Sequence, residues 1–250
     1  MSASGDHAAA VRLADAAGSL LMRIRAGLTA GTSPGDVRAE GDRESNALLL
    51  SLLRSDFPAD AVLSEEAEDD LRRLDSRRVW IVDPLDGTRE FGEAERIDWA
   101  VHVALVEDGA LAVGAVALPA QGVTFSTGAP PALPAYADRP PRIAVSRTRP
   151  AAEAELLAVE LGGELVPMGS AGAKAMAVVS GAIDVYVHSG GQYAWDSAAP
   201  VAVAHASGLH TSRVDGSPLE YNQESSWLPD LLICRRELAA DVLSALHAHA

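Results

Sequence analysis

Residues 79–91 read VWIVDPLDGTREF, a run of β-branched and aromatic side chains that ends on two aspartates, Asp83 and Asp86, with no base between them. The run reads as a buried strand. Gly87 and Thr88 then let the backbone turn sharply and offer its amides to an anion. Carboxylates this close repel, take up protons or share a cation. Upstream, AVLSEE at 61–66 is a second short strand ending beside Glu65 and Glu66, and downstream YAWDSAAP at 193–200 sets Asp196 at the start of a helix. Carboxylates gathered from three separated segments supply oxygen ligands to a hard divalent cation such as Mg²⁺. Two such ions roughly 3.5–4 Å apart suit in-line attack on phosphorus. Plainer readings stand beside this one. Asp196 and Asp42 also fit helix caps, Asp83 and Asp86 fit turn residues, and Glu68, Asp69 and Asp70 fit a solvated acidic loop.

Around this stretch the chain divides in two. Helical apolar spacing predicts helices over 7–27 and 43–55, followed by strands at 61–63, 79–82, 99–106 and 111–118, the last two joined in a hairpin through Glu107-Asp108-Gly109. After the Pro-rich stretch GAPPALPAYADRPP at 128–141, strands at 142–146, 164–166, 184–188 and 231–235 alternate with helices near 151–161, 171–180, 196–207 and the C-terminus. The expected fold is α/β, with an α+β subdomain of residues 1–138 carrying most candidate ligands. An α/β subdomain of residues 139–250 contributes Asp196 and substrate contacts.

Of the 250 residues 48% are hydrophobic, enough for substantial cores. Twenty Lys and Arg against 35 Asp and Glu leave a formal charge of −15, which repels nucleic-acid polymers and anionic membranes. The partner expected is therefore a small molecule. The single Cys234 suits a reducing compartment, the first twenty residues carry Asp6, Arg12 and Asp15 where a leader would be basic and apolar, and prolines break the longest uncharged stretch, so a cytoplasmic protein is expected. GSAGAKAM at 169–176 lacks the spacing of a triphosphate-binding loop, and it reads as a helix start in which Ser170 is a substrate contact. Arg89 and Lys174, the bases nearest the motifs, either meet a second phosphate or stand as surface charges. His102 in a strand and His205 in a helix read as packing residues.

WIVDPLDGTREF resembles the DPxDGT motif of the inositol monophosphatase superfamily, and WDSAAPVAVAHASG resembles its second motif, Trp-Asp followed by small residues and Gly. SEE at 64–66 and GDRESN at 41–46 stand ahead of the first motif in that family's order, and GSAGAKAMAVVSGAIDVYVH resembles the segment before the second. The resemblance covers nearly the whole chain. Thr88-Arg89-Glu90-Phe91 and Tyr221-Asn222 are most similar to the CysQ branch, the 3′(2′),5′-bisphosphate nucleotidases, its actinobacterial members in particular.

The resemblance implies a layered αβαβα sandwich and two or three Mg²⁺ held by Glu65, Asp83, Asp86, Asp196 and the Leu85 carbonyl. It further implies that Thr88 orients the attacking water with either Glu65 or Asp42, that the Gly87 and Thr88 amides hold phosphate, and that Tyr221 stacks near an adenine. The implied activity is lithium-sensitive removal of the 3′-phosphate of 3′-phosphoadenosine 5′-phosphate, and of the corresponding phosphosulfate, in sulfur assimilation. Action on inositol 1-phosphate or fructose 1,6-bisphosphate, broad specificity, and a non-catalytic Mg²⁺ or nucleotide sensor are the alternatives; the family also permits a homodimer. Haloacid dehalogenase-like phosphatases carry Asp-x-Asp-Gly-Thr, whereas Asp83-Pro84-Leu85-Asp86 is one residue longer and misplaces the second acid for that mechanism.

Overall fold

Alternate residues of a strand face opposite ways, and in this chain that alternation sorts the strands' side chains into separate cores. The computed structural model describes residues 3–27, 33–137 and 139–249. Helices α1 (Ala3–Ala26) and α2 (Pro34–Asp56) lead into β1 (Ala61–Ser64), β2 (Arg78–Asp86), the short α3 (Thr88–Phe91), β3 (Ala100–Glu107), β4 (Ala110–Leu118) and β5 (Val123–Ser126). These strands form one five-stranded sheet in chain order, with β1 parallel to β2 and the other neighbours antiparallel. The second half runs β6 (Arg142–Ser146), α4 (Ala152–Glu160), β7 (Glu164–Met168), α5 (Ala171–Val179), β8 (Val185–Tyr193), α6 (Ala194–Ala206), β9 (His210–Ser212), β10 (Trp227–Cys234) and α7 (Ala239–His247). Its sheet has the order β7-β6-β8-β10-β9, parallel around β6 and antiparallel around β10.

Trp80, Val82, Val101, Val103 and Leu105 face α1 and α2, whereas Val79, Ile81, Ala104 and Val106 face the other way, onto α5 and α6. The far side of that middle layer is closed by Tyr186, Leu231 and Ile233 of the second sheet, whose opposite face packs Ile143, Val187, Leu232 and Cys234 against α4 and α7. The result is the αβαβα sandwich. Alanines of α5 and α6, among them Ala173, Ala175, Ala198 and Ala199, let both sheets approach the middle helices closely. Burial pushes the Cys234 thiol up to about 12, so it stays protonated and quiet. None of the described helices is long and apolar enough to cross a membrane.

Two expectations change. Helix α2 begins at Pro34 rather than residue 43, because proline is preorganised for a first turn, so Asp42 lies mid-helix and caps nothing. β5 lies between the hairpin and the Pro-rich stretch, where four residues on a sheet edge leave little periodicity to read. The division expected at residue 138 falls on a position outside the described residues.

At the start of β8, on the opposite end of that strand from Asp196, the fully buried Asp184 accepts bonds from Arg139 Nη1 at 2.7 Å, Arg142 N at 2.7 Å and Arg235 Nε at 3.1 Å. Burial opposes the charge, but these partners hold its carboxyl below the usual range. Stability from Asp184 is thus present above the carboxylate's ordinary value and fades as pH falls through its lowered one. Asp184→Ala leaves the Arg235 guanidinium buried and unpaired, and is expected to cost about 3–5 kcal/mol in urea unfolding at neutral pH, with kcat of the folded protein retained. A cost below about 1 kcal/mol would remove Asp184 from this role.

Candidate metal and phosphate site

β2 loses its regular pairing with β3 between Asp83 and Asp86, where Pro84 has no N–H to give a ladder. Asp83 turns inward, fully buried, and accepts the Leu85 N–H at 3.0 Å. From the middle layer, Asp196 in the first turn of α6 accepts the Tyr193 N–H at 2.6 Å. Asp83, Asp86 and Asp196 each offer an oxygen within 4.8 Å of the others, a group that can hold a metal ion. Glu65, just past β1, is exposed, and its carboxyl feels the charges of Asp196 and Asp86.

The segment Gly41–Asn46 of α2 clamps this arrangement from the outer layer. A Cβ on Gly41 would lie 2.8 Å from Phe91 Cε1, so only glycine lets α2 approach the turn after β2 this closely. Ser45 Oγ donates to Pro84 O at 2.7 Å, and Asn46 Nδ2 donates to Glu66 O at 3.1 Å, so one helix turn grips both acid-bearing turns. Asp42 is left facing Thr88, whose Oγ1 lies 3.4 Å from Asp42 Oδ1 and 3.1 Å from Leu85 O.

Electrostatics at the cluster are those of acids lacking a counter-charge. Burial, then the charges of Glu65, Asp86 and Asp196, push Asp83 well above the carboxylate range. Desolvation and Asp196 push Glu65 up to about 7, while desolvation and Asp86 push Asp196 up to about 6. Asp42 is pushed up to about 6 by burial and Glu66. Asp86 goes the other way. Burial alone would raise it, but His102, Ser170 and the Gly172 N–H hold its carboxyl below the usual range. No Lys or Arg among the described residues pairs with Glu65, Asp83, Asp86 or Asp196. Oxygen donors of this kind fit hard divalent cations.

His102 is the residue that sequence reasoning missed. It packs in the core, as expected, but with Nε2 3.2 Å from Asp86 Oδ2, Nδ1 3.9 Å from Asp83 Oδ2 and Nδ1 3.0 Å from Trp195 O. The available signal was period two: within WAVHVALV it shares a face with Ala100 and Ala104, directly opposite Asp83 in the ladder. His205, expected to pack, is exposed. Tyr193 and Trp195 were missed as well. Their rings stack at 4.8 Å between centroids beside Asp196, with Tyr193 half-exposed.

The remaining expected residues divide. Gly87, at φ 85°, ends the turn and lines a cavity with Thr88 and Arg89. Ser170 is the N-cap of α5, its hydroxyl donating to Asp86 and accepting the Ala173 N–H at 2.9 Å, and it also lines that cavity. One expectation is corrected. Tyr221 is 4% exposed, its hydroxyl donating to Ser197 Oγ at 3.1 Å, and it offers no face for stacking. Its ring sits in the apolar middle layer because that burial satisfies both ring and hydroxyl. The acidic loop Glu68, Asp69 and Asp70 is exposed as expected, although Asp69 also pairs with the buried Arg73.

A Cβ at position 172 would lie 2.1 Å from His102 Nε2. Gly172→Ala is therefore expected to displace the imidazole from Asp86 and to cost about 1–3 kcal/mol of stability in thermal denaturation. A variant as stable as the parent would mean that His102 has room to withdraw.

Residues 6–249 match the inositol monophosphatase family. A Mycobacterium tuberculosis protein named 3′-phosphoadenosine 5′-phosphate phosphatase is 51% identical over 242 residues, covering 92% of this chain and 89% of that protein. The Escherichia coli K12 3′(2′),5′-bisphosphate nucleotidase CysQ is 30% identical over 236 residues, covering 87% of this chain and 94% of that one. In fold, the crystal structure of inositol monophosphatase II from Staphylococcus aureus superposes with a TM-score of 0.80 at 21% identity, covering 95% of this chain and 91% of that one. The acid-bearing turns and the sandwich that presents them thus agree with the match along the sequence: this chain belongs to the inositol monophosphatase family.

Proposed function

We propose that the chain is a Mg²⁺-dependent phosphomonoesterase that converts 3′-phosphoadenosine 5′-phosphate to AMP and phosphate. The observation that carries the chemistry is the convergence of Asp83, Asp86 and Asp196 within 4.8 Å beside the Thr88–Asp42 pair. The nucleotide substrate is supported by the name of the 51% identical mycobacterial relative and by the Tyr193–Trp195 stack, an aromatic surface next to Asp196 suited to a base. A cytoplasmic site of action belongs to the same reading, supported by the lone buried Cys234.

In this reading Glu65, Asp83, Asp86 and Asp196 hold the ions, with the Leu85 carbonyl beside them. Bound there, divalent ions supply neutralising charge, polarise the phosphoryl group and activate water. Asp86 is kept ionised and fixed by the α5 N-terminus and His102, so its geometry is set before substrate arrives. Thr88 donates a hydrogen bond to Asp42 and accepts one from the attacking water, which it thereby orients. The water oxygen bonds to phosphorus as the bond to the ribose 3′-oxygen breaks; the proton the water gives up passes through the Thr88 hydroxyl to the Asp42 carboxylate, and the departing oxygen takes up a proton from solvent. The pairing with Asp42 rather than Glu65 is supported by the 3.4 Å approach of Thr88 Oγ1 to Asp42 Oδ1. The Gly87 and Thr88 amides hold phosphate oxygens.

Asp83→Asn combined with Asp86→Asn is expected to abolish turnover and also to remove the rise in Tm that Mg²⁺ confers on the parent. At a hundredfold excess over Kd that rise corresponds to about 2.7 kcal/mol. Retained turnover in the double variant would displace the site. Thr88→Ala and Asp42→Asn are each expected to lower kcat by about 10²–10⁴-fold, whereas Glu65→Gln raises the Mg²⁺ concentration needed for half-maximal rate. The substrate is decided by phosphate release from 3′-phosphoadenosine 5′-phosphate, inositol 1-phosphate and fructose 1,6-bisphosphate at matched concentrations, with and without lithium. A kcat/KM preference for either sugar phosphate would keep the site and replace the substrate. Mg²⁺ binding without any turnover would turn the reading to a sensor.

A further inference from the structure

Asp83, Asp86 and Asp196 are each fixed by backbone N–H donors, whereas Glu65 opens a stretch in which every residue from 65 to 72 is exposed. The connection that this stretch begins, from β1 to β2, buries one side chain only, and it is a charged one: Arg73, 2% exposed. A buried guanidinium is costly unless its N–H groups are met.

Arg73 satisfies that condition by bridging two distant parts of the chain. Its Nε and Nη2 donate to Asp69 Oδ2 at 3.0 and 2.8 Å, Nη1 donates to Asn222 Oδ1 and to Gln223 O, both at 2.8 Å, and Nη2 also reaches Glu224 O at 3.3 Å. Asn222 Nδ2 donates in return to Arg73 O at 3.3 Å. Backbone strain marks both sides of this clasp. Leu71 has φ 61° and Asn222 φ 58°, left-handed values that a residue with a Cβ holds at a cost. The other non-glycine residues at positive φ among the described residues are Asp108, in the hairpin turn, and Ser170, on Asp86.

The clasped segment is itself bound to the first turn of α6. At its start Tyr221 donates to Ser197 Oγ at 3.1 Å, and at its end Ser226 O accepts the Ala194 N–H at 2.7 Å, just before Trp227 pairs with Tyr193 in the ladder. Ala194 and Ser197 stand on either side of Asp196 in the chain. Arg73 therefore joins the loop that Glu65 opens to the segment that cups the helix carrying Asp196. Groups that orient metal ligands set affinity as much as the ligands do. We propose that Arg73 is a positioning residue of the metal site, whose clasp fixes the Glu65 loop against the α6 N-terminus and so sets the spacing of Glu65 and Asp196 for a divalent ion. The proposal rests on the metal-dependent reading above and deepens it.

Calorimetry of Mg²⁺ binding tests this without turnover, in the parent, Arg73→Lys, Asn222→Gly, Glu65→Gln and the Arg73→Lys, Glu65→Gln double variant. Arg73→Lys keeps the charge but cannot fork to Asp69, Asn222 and the carbonyls together. Asn222→Gly keeps the left-handed backbone and loses the side-chain bond. Arg73→Lys is expected to raise the Kd for Mg²⁺ by about tenfold or more, the usual cost of losing a group that orients a ligand, and Asn222→Gly by less. The rate lost at limiting Mg²⁺ should return at saturation. In the Glu65→Gln background Arg73→Lys should raise Kd no further, because the clasp acts through Glu65. A full additional effect there overturns the proposal, as does a parent-like Kd in Arg73→Lys. Should Arg73→Lys fail to fold, Asn222→Gly carries the same comparison in both backgrounds. Mg²⁺ binding by a parent that hydrolyses no phosphomonoester overturns the catalytic reading alone, and the Kd comparison still decides the clasp. A parent that binds no Mg²⁺ overturns both.

Discussion

Mutual repulsion among Glu65, Asp83, Asp86 and Asp196 is the constraint around which this molecule is arranged. Left in an apolar interior, such a cluster protonates or flies apart. Most of the donors that hold it converge on one member: the Ser170 hydroxyl, the Ala171 and Gly172 amides and His102 all meet Asp86, while Asp83 and Asp196 accept one backbone N–H each. One carboxylate is thereby kept charged and immobile, while the others are left to a cation. The same contacts join the end of a first-sheet strand to the N-terminus of a middle-layer helix, so the site is also a seam of the fold.

Each layer contributes something the others cannot. The first sheet delivers Glu65 and the Asp83–Asp86 turn at the ends of neighbouring parallel strands. The middle layer delivers Asp196 and the amides that hold Asp86, and the outer helix α2 delivers Asp42 together with Ser45 and Asn46, which grip the turns from behind. The second sheet adds the segment before β10 that Arg73 clasps. Most of the apolar burial lies away from this junction, in three cores of alternating strand residues. A site that gathers like charge opposes folding in the absence of its ion, and the cores carry that cost.

Much of this was legible locally. The alternation in WAVHVALV and LAVGAVAL, the hairpin turn at Asp108-Gly109 and the helical spacing of the second half all report backbone periods of two and 3.6 residues, which nearest neighbours enforce. Asp83, Asp86, Glu65 and Asp196 stood out because each ends a strand or begins a helix beside small residues. Misreadings fell where local signals were ambiguous. Asp42 looked like a cap because Asp before a polar-to-apolar switch often is one, and Tyr221 looked like a stacking ring because a tyrosine in a polar segment gives no sign of the Ser197 hydroxyl waiting in the core.

The chain's own order of residues determined the α/β succession of helices and strands and the identity of the clustered acids, since these follow from short-range periodicity and from the chemistry of carboxylates. Tertiary structure alone decided which groups serve the acids: His102 opposite Asp83 across a ladder, Ser170 on Asp86 from 84 positions away, Asp42 on Thr88 from 46, and Arg73 on Asn222 from 149. The physical reason is that hydrogen bonds and charge pairs act over a few ångströms of space, whatever the distance along the chain. Those few ångströms are set only once the sheets close on the helices between them.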